Sequence, residues 1–147
     1  MKVLAVSSGG GHWIELLRVM TAFEHASVTF VSVKRGYAVD VPDYGFHVVR
    51  DATRWNLVGT AVLALQMWLA VRRLKPDVVV TTGAAPGYFA VRFGKWAGAR
   101  TIWIDSLANV DELSGAGRMA GRYADLWLTQ WPKLARPGGP EYSGQVI

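Results

Sequence analysis

At 147 residues, 51% of them hydrophobic, the chain is long enough for one domain with a packed core and too short for two lobes. Its 16 Lys and Arg against 11 Asp and Glu leave a net charge of +5; with seven Trp, this balance suits an anionic membrane face or phosphorylated ligands. The cations are scattered and form no basic stripe for nucleic acid, and the absence of cysteine excludes disulfide frameworks, Cys-based zinc sites and thiol chemistry, as fits a cytosolic setting.

Strand-like and helix-like segments alternate along the chain. Residues 3–6 read as a first strand, and the glycine-rich run 7–12 follows. Residues 13–23 form a helix with Trp13, Leu16, Leu17, Met20 and Phe23 on one face. Residues 28–33 are a β-branched strand, 34–45 a loop, and 46–49 a short strand. A long helix covers 57–74 and a strand 77–81. A loop at 83–87 leads to a helix at 88–96, a strand covers 100–104, a short helix 116–123 and a last strand 126–129. Residues 132–147 form an irregular tail, with three prolines and two glycines between 132 and 142. No signal peptide precedes the first strand. The near-continuous apolar runs at 78–80 and 101–104 are those of strands covered on both faces. The pattern predicts an α/β fold: a doubly wound, mainly parallel, Rossmann-like sheet. In such sheets ligands bind at the carboxyl ends of the strands. The loops at 7–12, 34–36, 82–87, 105–106 and 130–131 all fall there.

The run Ser7-Ser8-Gly9-Gly10-Gly11-His12 is suited to an anion. Glycines allow close backbone approach, and the helix start offers free N–H groups and a positive dipole end. It is neither G-x-G-x-x-G nor a P-loop, and Lys34-Arg35 stand where a dinucleotide fold places an acid. A plain turn capped by His12 is the alternative. Between 57 and 71 the only non-apolar residues are Thr60, Gln66 and Gly59. Fifteen residues make about 22 Å of helix, short of a bilayer core of about 30 Å. With Trp55 and Trp68 beside it and Arg72 and Arg73 at its end, Leu57 onward suits a helix lying on a membrane; a buried core helix and a protein interface are the alternatives.

Thr101-Ile102-Trp103-Ile104-Asp105-Ser106, Leu113-Ser114-Gly115 and the block from Tyr123-Ala124-Asp125-Leu126-Trp127-Leu128-Thr129-Gln130-Trp131-Pro132, with the closing Tyr142-Ser143-Gly144-Gln145-Val146-Ile147, join the glycine loop and Thr82-Gly83-Ala84-Ala85-Pro86-Gly87 in a wider pattern. Over essentially the whole chain it resembles the accessory subunits of split UDP-sugar glycosyltransferases: the eukaryotic asparagine-linked glycosylation subunit and bacterial exopolysaccharide subunits of the PssD type. The resemblance implies the N-terminal, acceptor-side half of a GT-B enzyme. A partner chain would bind most of the UDP-sugar, and the product would be a lipid-diphosphate-linked saccharide made at the cytoplasmic membrane face. Two positions depart from the family pattern: Asp105 replaces the usual Glu, and Asn109 stands where an Arg is common.

On this reading the chain transfers sugar only as part of a heteromeric complex. Ser8, Gly9, Gly10 and Gly11 cradle a phosphate. His12 serves as base toward an acceptor hydroxyl, or as donor to the diphosphate, since imidazole titrates near neutrality. Asp105 is the rival base. Gly83 and Gly87 supply a second backbone wall, Ser106, Ser114 and Gly115 a further ligand loop, and Lys34 and Arg35 charge for a lipid pyrophosphate. Gln130, Trp131 and Ile147 belong to the seam with the partner. Trp55, Leu57, Trp68, Arg72 and Arg73 meet the membrane. No His, Asp and Glu cluster has metal-ligand spacing, so no metal or cofactor is expected. A non-catalytic membrane scaffold and a stand-alone Rossmann-type nucleotide-binding enzyme are the competing readings.

Overall fold

The β-branched runs resolve into seven strands in the computed structural model, which describes residues 1–53 and 55–147. They are β1 (Lys2–Val6), β2 (Ser27–Ser32), β3 (Gly45–Val48), β4 (Val78–Thr81), β5 (Arg100–Ile104), β6 (Leu126–Thr129) and β7 (Glu141–Tyr142). The sheet order is β3-β2-β1-β4-β5-β6-β7 and every neighbouring pair is parallel. The chain therefore winds outward from β1 to β3, crosses to β4, and winds outward again. This reversal places a topological switch point between the carboxyl ends of β1 and β4.

Alternate side chains of each strand feed two cores. Val3 and Ala5 of β1 face the helix α1 (Gly11–Val19), with Trp13, Leu16, Phe30 and Val80. Leu4 and Val6 face the opposite layer, built from α2 (Leu57–Leu74), α3 (Ala84–Trp96) and α4 (Gly115–Ala120). The doubly wound prediction stands on both counts.

α2 begins where the Asn56 side chain accepts the Gly59 N–H at 2.8 Å, and ends at Lys75 with φ 46°, just before Pro76. Its buried stripe is Gly59, Leu63, Met67 and Val71, at spacing four. Several apolar residues off this stripe stay in solvent: Leu57 is 79% exposed, Val58 72% and Leu65 56%. Gln66 accepts the Arg50 N–H at 2.7 Å, so one of the few polar side chains of α2 closes the exit from β3.

Two expectations about element limits need correction. The loop expected at 83–87 is the first turn of α3, where Pro86 costs no hydrogen bond. Gly87 thus lines no loop: it is buried, and a Cβ there would stand 2.1 Å from Thr81 Oγ1. The tail is not wholly irregular, since Glu141 and Tyr142 pair in register with Leu128 and Thr129.

Candidate functional site

The glycine run lies at the switch point. Gly10, with φ 66°, turns the chain from β1 into α1, and its N–H donates to the Tyr37 hydroxyl at 2.8 Å. Tyr37 is held by stacking on Trp13, with ring centroids 5.0 Å apart, while the Trp13 indole N–H donates to Asp40 at 2.8 Å. The Ser8 carbonyl accepts from the Ser32 hydroxyl at 3.2 Å, pinning the other end of the run. Trp13 and Ile14 donate to the Gly10 carbonyl, so among the described residues the free donors of the first turn are the N–H groups of Gly11 and His12. A side chain added at Gly11 would meet nothing within 4 Å, whereas one at Gly9 would meet the Tyr37 hydroxyl and the Lys34 stem. Lys34 thus lies beside the loop; it and Arg35 are exposed and join no ion pair among the described residues.

His12 bridges the switch point. Its Nδ1 lies 2.8 Å from the Thr82 carbonyl, and the Thr82 hydroxyl donates back to the His12 carbonyl at 2.7 Å. A carbonyl only accepts, so Nδ1 carries the proton and the neutral ring leaves its Nε2 lone pair available. The ring packs over Gly83, where a Cβ would come within 3.1 Å of His12 Cε1. Gly83 (φ 125°) and Ala84 (φ 64°) both have positive φ; for Ala84, which carries a Cβ, this is strain. The sequence thus brings His12, the glycine run, Lys34 and Gly83 to one place.

Asp105 does not join them as a base. It is 1% exposed, and four donors fill its carboxylate: Trp103 Nε1 at 3.0 Å, Ser114 Oγ at 2.6 Å, Ser114 N at 2.9 Å and Asn109 Nδ2 at 3.2 Å. Its work is to anchor the start of α4. Ser114 is the N-cap of that helix, its hydroxyl accepting the Gly117 N–H at 2.9 Å, and Gly115 is its first residue. Ser114 of the expected ligand loop is therefore a cap, and Gly115 lines a cavity on the α2–α3–α4 side. Asn109, where the family pattern commonly has Arg, serves the same anchor.

Ser106 is engaged as well. Its hydroxyl donates to Glu15 Oε1 at 3.1 Å, and the Leu107 N–H donates to the same oxygen at 2.9 Å. Glu15 lies one helical turn after His12, is 8% exposed, and leaves Oε2 buried without a partner among the described residues. Glu15, Tyr37 and Thr82 escaped the sequence reading. Glu15 falls about 100–160° around the helix from Trp13, Leu16 and Met20, so periodicity assigns it to solvent; Tyr37 and Thr82 gave no local signal.

Gln130 does not face outward. It is 1% exposed, donates to the Asp105 carbonyl at 3.0 Å and accepts the Val146 N–H at 2.8 Å. The Trp131 indole N–H donates to the Leu107 carbonyl at 2.8 Å, so both residues tie β6 to the loop after β5. Ile147 is 82% exposed. On the opposite layer Trp55 and Trp68 are exposed, and the Arg72 guanidinium lies 5.1 Å from the Trp68 ring centre; Arg73 is exposed at the same end of α2. Among the described residues no three His, Asp or Glu side chains gather as metal ligands.

No protein-family model matches the chain. It is 28% identical, over 99% of its length and 81% of the relative's, to the UDP-N-acetylglucosamine transferase subunit ALG14 of Yarrowia lipolytica. To the mouse subunit of that name it is 24% identical, over 91% of this chain and 77% of the relative. Among solved structures, Acinetobacter baumannii MurG superposes with a TM-score of 0.78 at 13% identity, covering 97% of this chain and 45% of MurG. The Neisseria meningitidis UDP-GlcNAc 2-epimerase bound to UDP-GlcNAc gives a TM-score of 0.66 at 12% identity, covering 88% and 40%. The chain is ALG14-like in sequence. Its fold is the Rossmann-like N-terminal half of a GT-B architecture, and it spans less than half the length of these structural neighbours.

Proposed function

We propose that this chain is the acceptor-side subunit of a two-chain glycosyltransferase that moves a sugar from a UDP-sugar to a lipid-diphosphate-linked saccharide. The observation that carries the reading is the His12–Thr82 pair beside the glycine run, which leaves an imidazole Nε2 and two helix N–H groups free at the switch point. The N–H groups of Gly11 and His12, with Lys34, receive the acceptor diphosphate. Nε2 of His12 takes the proton of the acceptor hydroxyl as its oxygen forms the bond to the anomeric carbon. The bond from that carbon to UDP breaks, and UDP leaves with the electron pair. The donor pocket belongs to a partner chain, in line with the word "subunit" in the names of the relatives. The site acts at the cytoplasmic face of a membrane, where the exposed side of α2 rests on lipid. No metal or cofactor enters the scheme.

The test is co-expression with a candidate donor-binding partner, followed by transfer from UDP-N-acetylglucosamine to a lipid-diphosphate saccharide. Transfer is expected only with both chains present. His12→Ala is expected to lower turnover by roughly 10²–10⁴-fold while the two chains still co-purify. Robust transfer by this chain alone would overturn the split. Unchanged turnover in His12→Ala would reduce the chain to a membrane scaffold for its partner.

A further inference from the structure

A cavity of about 490 Å³ lies on the sheet's α2–α3–α4 side, next to the site. Its walls include Ala52, Ala85, Phe89, Ala116 and Met119, with Tyr88 between them. The volume falls within the range of small-molecule pockets, about 300–1,000 Å³. Polar side chains in the wall are few: Thr53, Thr60 and Tyr88. The Thr60 hydroxyl donates to the Asn56 carbonyl at 2.9 Å, and the Tyr88 hydroxyl accepts from Arg92 at 3.2 Å. A sugar ring buried here would leave most of its hydroxyls without partners, at a cost for each. A hydrocarbon needs none.

Position selects which hydrocarbon. Ala85 is the second residue of α3, two residues along the chain from the Gly83 that packs against the His12 ring, so this wall adjoins the site. The opposite wall, Ala116 and Met119, belongs to α4, which the saturated Asp105 carboxylate fixes in place through Ser114. The third wall is Ala52, Thr53 and Thr60, the last on the first turn of α2, whose outer side is the exposed apolar face. The cavity thus lies beside the anion site at its α3 wall and beside the apolar face of α2 at another, while the glycine run and His12 are not part of its lining.

The geometry points to this cavity as the seat of the hydrocarbon segment attached to the acceptor's diphosphate, so that the chain recognises its lipid as well as the charged head. The inference rests on the diphosphate site proposed above. Asp105, nominated by sequence as a base, becomes a positioning residue for the lipid wall.

Binding to the full chain tests it, with farnesyl diphosphate and inorganic pyrophosphate as probes in titration calorimetry, below the micelle concentration. Farnesyl diphosphate is expected to bind about tenfold or more tighter than pyrophosphate, a gain of about 1.4 kcal/mol or more. Ala116→Trp, which fills the cavity, is expected to erase that gain and leave pyrophosphate affinity within about threefold. Met119→Trp provides a second filled cavity should the first variant fold poorly by circular dichroism. Pyrophosphate binding with no farnesyl gain overturns the lipid seat and leaves the diphosphate site standing. A farnesyl gain that survives in a folded, filled variant puts the hydrocarbon on the outer surface, and also overturns the seat. Binding of neither ligand overturns the seat and the diphosphate site together.

Discussion

Gly11 and Gly87 are the same residue type at the starts of two helices, yet they answer opposite demands. A Cβ at Gly11 meets no atom within 4 Å, and one at Gly87 runs into Thr81 Oγ1 at 2.1 Å. Gly11→Ala is expected to leave thermal stability unchanged or raised by up to about 1 kcal/mol, since Ala favours helix. It should also weaken pyrophosphate binding about tenfold, because the methyl group occupies the space an anion needs. Gly87→Ala is expected to cost about 1–3 kcal/mol of stability and leave affinity of the folded protein unaltered. Melting curves and calorimetry on both variants separate the two roles; the reverse pattern would make the glycine run a turn and nothing more. Sequence reading grouped both glycines as ligand walls because it sees spacing from a strand end, not what lies across from the Cα. Asp105 has the same lesson. An acid at the end of β5 is legible, but the four donors that saturate it come from Trp103, Asn109 and Ser114, which meet only in the folded loop. His12 was legible as a functional side chain because a strand, glycines and a helix start announce its surroundings. Its tautomer was not, because Thr82 lies 70 residues away.

Among the elements, β5, β6 and α3 are joined by one carboxylate. Asp125 pairs with the Lys95 ammonium of α3 and accepts the Thr101 N–H of β5 at 2.9 Å. The Lys95 bond, above all, holds the Asp125 carboxyl below the usual carboxylate range, against burial, which pushes it up, and with help from Thr101. A group with a lowered folded-state pKa stabilises above its unfolded value and loses that contribution as pH falls through the folded one. The junction is therefore expected to weaken below about pH 4, the ordinary carboxylate range. Asp125→Asn should be less stable than wild type near neutrality, and the gap should close in acid. A gap in melting temperature that stays constant from about pH 7 down to about pH 2 would deny Asp125 this role. Asp111 is also lowered, by Lys133, but it is fully solvated and is expected to add little. Most elements were readable because their apolar runs and breakers are local signals: Lys75-Pro76 ends α2, and β-branched runs mark the central strands. β7 was not, since two residues carry no periodicity and only pairing with β6 makes them a strand. The start of α3 was read late because Gly and Pro in its first turn imitate a loop.

At the scale of the whole molecule, one helical layer carries the apolar surface. Beside the exposed side of α2 stand Trp96, 62% exposed on α3, and Met119, 54% exposed on α4. Arginines accompany the rings: Arg72 lies 5.1 Å from the Trp68 ring centre and Arg92 4.7 Å from that of Trp96. Aromatic rings with cations beside them match the depth of lipid headgroups, and apolar side chains at this exposure are otherwise a cost in water. Among the described residues α2 alone meets the requirement of a membrane span by length and composition, but its stripe from Gly59 to Val71 is part of the sheet's core, which leaves only its outer side for a further surface. Sequence left core, lipid and partner as alternatives for this helix; the stripe and the exposed face divide it between core and outer surface. Lipid contact predicts that the protein co-sediments with phosphatidylglycerol-containing vesicles, more weakly with purely zwitterionic ones, and less in high salt. Val58→Glu combined with Leu65→Glu should reduce that binding about tenfold or more with the melting temperature preserved, because both side chains are already in solvent. Leu63→Glu, on the buried stripe, should instead unfold the protein. If the folded double variant still binds vesicles but no longer co-purifies with a partner chain, the face belongs to protein rather than lipid. The cavity beneath it would then open onto the subunit interface.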